Sequence, residues 1–297
     1  MNARERGFLL LTSSLGSSQR TPLTTAQLRH LAGRVQAAQR PTEDGELSEQ
    51  ELRTLGYGPE MSMRILSLLD QQDVLDHYLQ KAKHQRIVPI TRVSFGYPVI
   101  LRKRLGLDSP GVLWAKGDLS ILDSPKIALV GSREILPLNR EFAIEAGRQA
   151  AVQGYALVSG NARGADRLAQ ESCLEAGGSV ICIVADTLTD KPERRGVLYL
   201  SEDSFDLPFT SLRALSRNRV IHSLGSHTLV AQCSLRIGGT WDGTAKNLSA
   251  GWSPVSCFND GSDAAAELEQ MGATLIAKDL LRDLAKLPAP LGNLFDL

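Results

Sequence analysis

The sequence predicts an α/β fold: a doubly wound, mainly parallel sheet behind a small helical N-terminal domain. Three observations point there. From residue 126 onward, apolar runs of strand length alternate with amphipathic helical stretches. Those runs are apolar on successive residues, as strands covered by helices on both faces must be. Residues 1–86 lack such runs and carry helix-start signals instead.

In chain order, residues 26–38 suit a helix capped by Thr24 or Thr25. Residues 42–48 form a polar linker ending at Ser48, and Glu51 three residues later completes a capping box. Helices at 59–69 and 72–83 follow, the first with Ile65, Leu66 and Leu69 on one apolar face. Residues 87–90 and 112–115 suit strands, with a turn at 95–98 between them. The alternating region then gives strands at 126–130, 155–159, 180–184, 197–200, 228–231, 254–258 and 274–276. Helices are expected at 139–153, 166–176, 211–224 and 263–271, with one starting at 244 and a last one ending near 287. The expected division is a helical domain over 1–86, an α/β domain over 87–287 and a tail over 288–297.

The chain has 297 residues, 42% of them hydrophobic, with 33 basic and 33 acidic side chains. That balance excludes a disordered chain and a uniformly basic nucleic-acid coat. The charge is nonetheless blocked: +5 over residues 1–40, −7 over 41–80 and +7 over 81–105. The basic 81–105 block could extend a binding groove or serve as a foil to the acidic one. Four cysteines at 173, 182, 233 and 257 form no CxxC, and no histidine stands at zinc-ligand spacing. Reduced thiols in a cytoplasmic protein are therefore expected, with no metal and no cofactor. The apolar run at 8–11 is too short for a signal peptide, and no segment approaches the ~18 apolar residues of a membrane span.

Three segments at strand ends carry phosphate-binding chemistry. The strand at 126–130 runs into Gly131-Ser132-Arg133, which offers close backbone approach, a hydroxyl and a forked cation. The strand at 155–159 runs into Ser159-Gly160-Asn161-Ala162-Arg163-Gly164, a turn opening a helix. Free N–H groups there would face an anion, and Arg163 would grip it. A third segment holds Gly238, Gly239, Thr240, Trp241 and Thr244, a glycine-rich cradle whose tryptophan could stack on a base or pack the loop. Between them lies Arg217-Asn218-Arg219. On a helix its two arginines point about 200° apart, so the cluster is expected near a helix N-terminus with at least one arginine turned to the site. The dinucleotide fingerprint GxGxxG is absent, which disfavours a nicotinamide cofactor.

VGSR at 130–133, SGNARGAD at 159–166 and SRNRVI at 216–221, in that order, resemble the DNA-processing protein A (DprA/Smf) family. The segments at 97–101 and 110–117 match that family's lead-in to its Rossmann-like domain, and the resemblance runs from residue 87 to about 277. It implies membership of a superfamily that also holds the LOG nucleotide phosphoribohydrolases. It further implies single-stranded DNA binding, homodimers, loading of a strand-exchange recombinase and no catalysis. The chain departs from the pattern at Gln170, where the family has histidine, and at GGTWDGTAKNL, where it has SGSLxTA. No winged-helix domain is expected after the last helix. These departures resemble a subgroup outside the transformation proteins.

Three functions are open at this point: a single-stranded DNA-binding module, a sensor for a nucleotide signal in a defence system, and a LOG-like hydrolase. The last is disfavoured because Asn247 stands where that family's catalytic glutamate would be, and an amide is no general base. The tail at 291–297 is similar to sliding-clamp peptides in its Leu-Phe but lacks their leading glutamine.

Overall fold

The computed structural model describes residues 1–17, 19–38 and 47–288. The linker at 42–46 and the clamp-like tail lie outside the described residues. Two compact units are present: residues 1–97 with 110–114 and 202–205, and the remainder.

The first unit holds five helices: α1 (Ala3–Thr12), α2 (Thr25–Ala37), α3 (Glu49–Thr54), α4 (Pro59–Leu69) and α5 (Gln72–His84). It also contains strand β1 (Ile87–Thr91) and the first half of β2 (Val112–Gly117). The predicted caps are present. Thr24 Oγ1 accepts from Gln27 N at 3.2 Å, and Ser48 Oγ from Glu51 N at 3.2 Å. Helix α1 was not expected. Its Leu9 and Leu10 are buried, and Arg20 ties its carboxyl end to α4 by donating to the Leu10, Ser13 and Leu68 carbonyls. The apolar face of α4 centres on Ile65 and Leu68, with Leu66 and Leu69 at its margin. A second cluster stacks Tyr78, Trp114 and Phe205 with centroids 4.6–5.3 Å apart.

The second unit carries the parallel sheet. Its strands are β3 (Lys126–Val130), β4 (Ala156–Ser159), β5 (Ser179–Ile183), β6 (Val197–Glu202, its last residue excepted), β7 (Thr228–Val230), β8 (Val255–Phe258) and β9 (Thr274–Ile276). They lie in the order β6-β5-β4-β3-β7-β8-β9, all pairs parallel. The chain fills one side of β3, then crosses to fill the other. That reversal is the doubly wound topology the alternation predicts, and it opens a crevice at the carboxyl ends of β3, β4 and β7. The helices are α6 (Val99–Leu105), α7 (Pro137–Val152), α8 (Ala165–Glu175), α9 (Ser211–Leu224), α10 (Gly238–Ala250) and α11 (Asp263–Gln270). Two short 3₁₀ turns at Lys278–Arg282 and Leu284–Lys286 replace the last predicted helix.

Two side chains of the basic block at 81–105 have partners within their own units. Lys81 lies over the Phe205 ring. Arg104 donates to the Ser223 and Gly225 carbonyls at the end of α9, where a cation satisfies orphan acceptors and opposes the helix dipole. All four cysteines are buried and free, and no helix among the described residues is long and apolar enough to cross a membrane.

Phe142 of α7 is fully buried and stacks on Phe258 of β8 at 4.5 Å. Phe142→Ala is expected to destabilise the protein by about 3–5 kcal/mol, read from the urea midpoint.

Candidate phosphate-binding pocket

A cleft of about 490 Å³ opens at the reversal of strand order. The loop after β3, the loop after β4, one face of α9 and the start of α10 line it. Nine of the fifteen predicted residues meet there: Gly131, Ser132, Arg133, Arg163, Arg217, Asn218, Gly238, Gly239 and Thr240. Ser159, Gly160, Gly164, Arg219, Trp241 and Thr244 are not among its lining residues.

Two N–H groups of the loop after β4 are already taken within the protein. Asp166, in the first turn of α8, folds back over it. Its Oδ2 accepts from Gly160 N at 3.0 Å and Ala162 N at 3.2 Å. The protein's own carboxylate thus takes two of the donors that the sequence seemed to leave open. Gly164 makes the turn at φ +82°, and a Cβ there would strike the Ser132 and Arg133 carbonyl oxygens. Ser159 is fully buried and accepts from Gln170. These residues build the site without facing its contents.

Arg217 holds the arrangement from the other side. It is 7% exposed, and its Nη1 donates to the Gly160 and Ile183 carbonyls at the ends of β4 and β5. Gly160 has no side chain because the Arg217 guanidinium occupies the space. Burial raises the Asp166 carboxyl to about 6, against the pull of Arg217, the two backbone donors and Arg133. Burial also lowers the Arg217 pKa, while Asp166 opposes that shift.

Arg133 and Arg163 remain for a ligand. Both are exposed, both line the cleft, and neither has a hydrogen-bond or ion-pair partner among the described residues. The glycine-rich third segment is not a loop: α10 begins at Gly238, six residues before the expected start. Its first turn has no side-chain cap, so its amide groups remain available to an anion. Thr240 Oγ1 donates to the Gly131 carbonyl at 3.0 Å, joining this turn to the first loop. The same helix turns Thr244 and Asn247 into the core and leaves Trp241 half-buried.

The Arg217-Asn218-Arg219 cluster sits mid-helix in α9, not at its N-terminus. The angular offset between the two arginines is real. Arg219 turns away and donates to Asp108 O at 3.0 Å and Ser216 O at 2.7 Å. Several lining residues were missed. Asp166 was signalled, as an acid in the first turn of a helix after a glycine loop. Phe209 and Ile237, 53% and 71% exposed at the rim, and His222 on the inner wall carried no periodic or motif signal.

Residues 89–285 match the family described as DNA recombination-mediator protein A. The chain belongs to that family. As a recombination-mediator family member it is 30% identical to Protein Smf of Escherichia coli over 142 residues, 44% of this chain and 38% of that protein. It is 26% identical to the DNA processing protein DprA of Streptococcus pneumoniae over 79% of this chain and 92% of that one. The crystal structure of the Streptococcus pneumoniae protein superposes with a TM-score of 0.72 at 23% identity, covering 97% of this chain and 99% of that chain. DNA processing protein A of Helicobacter pylori, studied for its single-stranded DNA binding mode, gives 0.57 at 24% identity over 68% and 96%. Both share the fold. The hydrolase alternative finds no support at Asn247, which is fully buried and bonded to Ser253 and His222. The nearby Asp242 is ion-paired with Lys246 at 2.8 Å.

Two outcomes follow for this family member. Arg217→Met strands the Gly160 and Ile183 carbonyls, so a loss of about 1–3 kcal/mol for each is expected in chemical denaturation. Burial lowers the His222 pKa from 6.5 to about 3. The unfolded chain therefore binds this proton at a higher pH than the folded chain. The stability contribution is complete above pH 6.5 and is lost as the pH falls towards 3. His222→Gln should flatten that part of the stability–pH curve, measured as urea midpoints from pH 7 to 4.

Proposed function

We propose that this protein binds single-stranded DNA in the pocket at the β3–β4–β7 ends and acts in DNA processing as a recombination mediator. The observation that carries the reading is the pair Arg133 and Arg163. Two exposed guanidiniums without internal partners flank a cleft whose third wall is an uncapped helix start. Unspent cations beside free amide donors suit a phosphodiester. The exposed Phe209 ring at the rim offers a face for a base. Family membership supports the same reading, as does the DNA-binding description of the Helicobacter pylori relative. Delivery of the bound strand to a recombinase belongs to this proposal, with a homodimer presenting two pockets to one strand. Among the alternatives, a sensor for a free nucleotide would use the same cations but would gain nothing from strand length.

The test is a fluorescence-polarisation titration with labelled oligo(dT) across a salt series. Arg133→Glu and Arg163→Glu are each expected to weaken binding roughly tenfold or more. The double variant should lower the steepness of the log–log salt plot by about 1.4, two phosphates at ~0.7 each. Arg219→Glu, which changes a residue turned away from the pocket, should leave affinity within about twofold. Equal losses for all three, or a mononucleotide competing as well as the oligonucleotide, would contradict the reading.

A further inference from the structure

The two sides of the pocket differ in character. Strands β3, β4 and β5 are joined through α7 and α8, whereas the chain returns from β6 to β7 through α9 and goes on to β8 through α10. Right-handed crossovers running in opposite directions place these two helix pairs on opposite faces of the sheet. The packing agrees: α7 lies against α8, and α9 against α10. Arg133 and Arg163 reach the cleft from the loops that lead into α7 and α8, with Glu134 next to Arg133 in the chain. From the α9–α10 side, the only charged lining residue among those described is Arg217, which is buried and donates to the Gly160 and Ile183 carbonyls. That side instead offers three large apolar side chains to solvent: Phe209, Leu215 and Ile237, 53%, 43% and 71% exposed.

Each of the three is held in place by its own backbone. Phe209 directly precedes the cap of α9, where Thr210 Oγ1 accepts from Arg213 N at 3.1 Å. The Arg213 side chain donates to Leu207 O at 2.8 Å, Pro208 O at 2.9 Å and Ala185 O at 2.8 Å, which ties the two residues before Phe209 to the end of β5. Leu215 stands at the first turn of α10, where a Cβ on Gly239 would lie 3.6 Å from its Cδ2. Ile237 closes a turn by donating its N–H to Ser234 O at 3.2 Å, and Arg236 within that turn is ion-paired with Glu267 of α11. Single exposed apolar side chains are ordinary on a protein surface. Three of them fixed at one cleft, across from two cations without partners among the described residues, form a surface with a purpose.

A ligand that satisfies both sides must be charged along one flank and apolar along the other. A nucleotide with an unpaired base has that form, because its phosphate is anionic and the face of its base is free to stack. A bare phosphate chain satisfies the arginines alone. We infer that Phe209, Leu215 and Ile237 form the specificity-determining wall of the pocket: they take the face of an unpaired nucleobase while Arg133 and Arg163 hold the adjoining phosphates. This inference rests on the single-stranded DNA reading above and adds the contact by which the pocket tells a strand with accessible bases from its backbone.

The test uses the full chain and two probes of equal length and charge: oligo(dT), and the same backbone with every base replaced by an abasic tetrahydrofuran. The unsubstituted protein should bind the abasic chain roughly tenfold or more weakly than oligo(dT) at the same salt, the loss of one stacked base. This comparison needs no variant. Phe209→Ala combined with Ile237→Ala changes two exposed side chains and should weaken oligo(dT) binding about tenfold. The same double variant should bind the abasic chain within about twofold of wild type and keep the wild-type salt slope, since no phosphate contact is lost. Equal affinity of the unsubstituted protein for the two probes would overturn the apolar wall and leave the DNA reading standing. So would a double variant that loses affinity for both probes alike, or for neither. Absence of any oligo(dT) binding by the unsubstituted protein would overturn both.

Discussion

Arg217 and Asp166, both buried in the wall and both bonded to the backbone of the loop after β4, are the constraint on which the pocket depends. Arg217 extends from α9 across the carboxyl ends of β4 and β5, and Asp166 gathers the loop after β4 from within. Each group would be costly to bury without those backbone partners. Together they satisfy carbonyls and amides that a glycine-rich loop would otherwise leave exposed to the pocket. The glycines follow from this arrangement. Gly160 yields space to the guanidinium, and Gly164 makes a turn that brings the loops after β3 and β4 into contact.

This division of labour sets the pocket's electrostatics. A cation and an anion in its wall are spent on backbone carbonyls and amides, so attraction for a ligand falls to the rim. Arg133 and Arg163 there are solvated and lack partners among the described residues, and the start of α10 faces the same space. A chain with no net charge can in this way present a local cationic mouth.

Much of the fold was legible in the sequence because hydrophobic period and strand length agree through the parallel sheet. Helix α9 was placed at its observed bounds, and the Ser48–Glu51 capping box forms as its spacing predicts. The start of α10 was misplaced because Gly238, Gly239 and Gly243 have poor helix propensity, and tertiary packing overrides it. At the site, the three segments were located correctly, but the roles of their residues were not. Motif chemistry treats every arginine as available to a ligand. Arg217 and Arg219 are instead held by backbone carbonyls brought close only by the tertiary fold. His222 was invisible for the same reason, since its partner lies on another helix, 25 residues away.

DNA bound as proposed contacts the mouth at the strand-order reversal and not the basic stretch around residues 81–104. Photocrosslinking with a 5-iodouracil-substituted oligonucleotide, followed by peptide mass spectrometry, tests it directly. Adducts are expected within residues 130–134, 162–163, 209–215 or 237–241, abolished together by unlabelled oligo(dT). Adducts confined to residues 81–104, with none around the pocket, would contradict it.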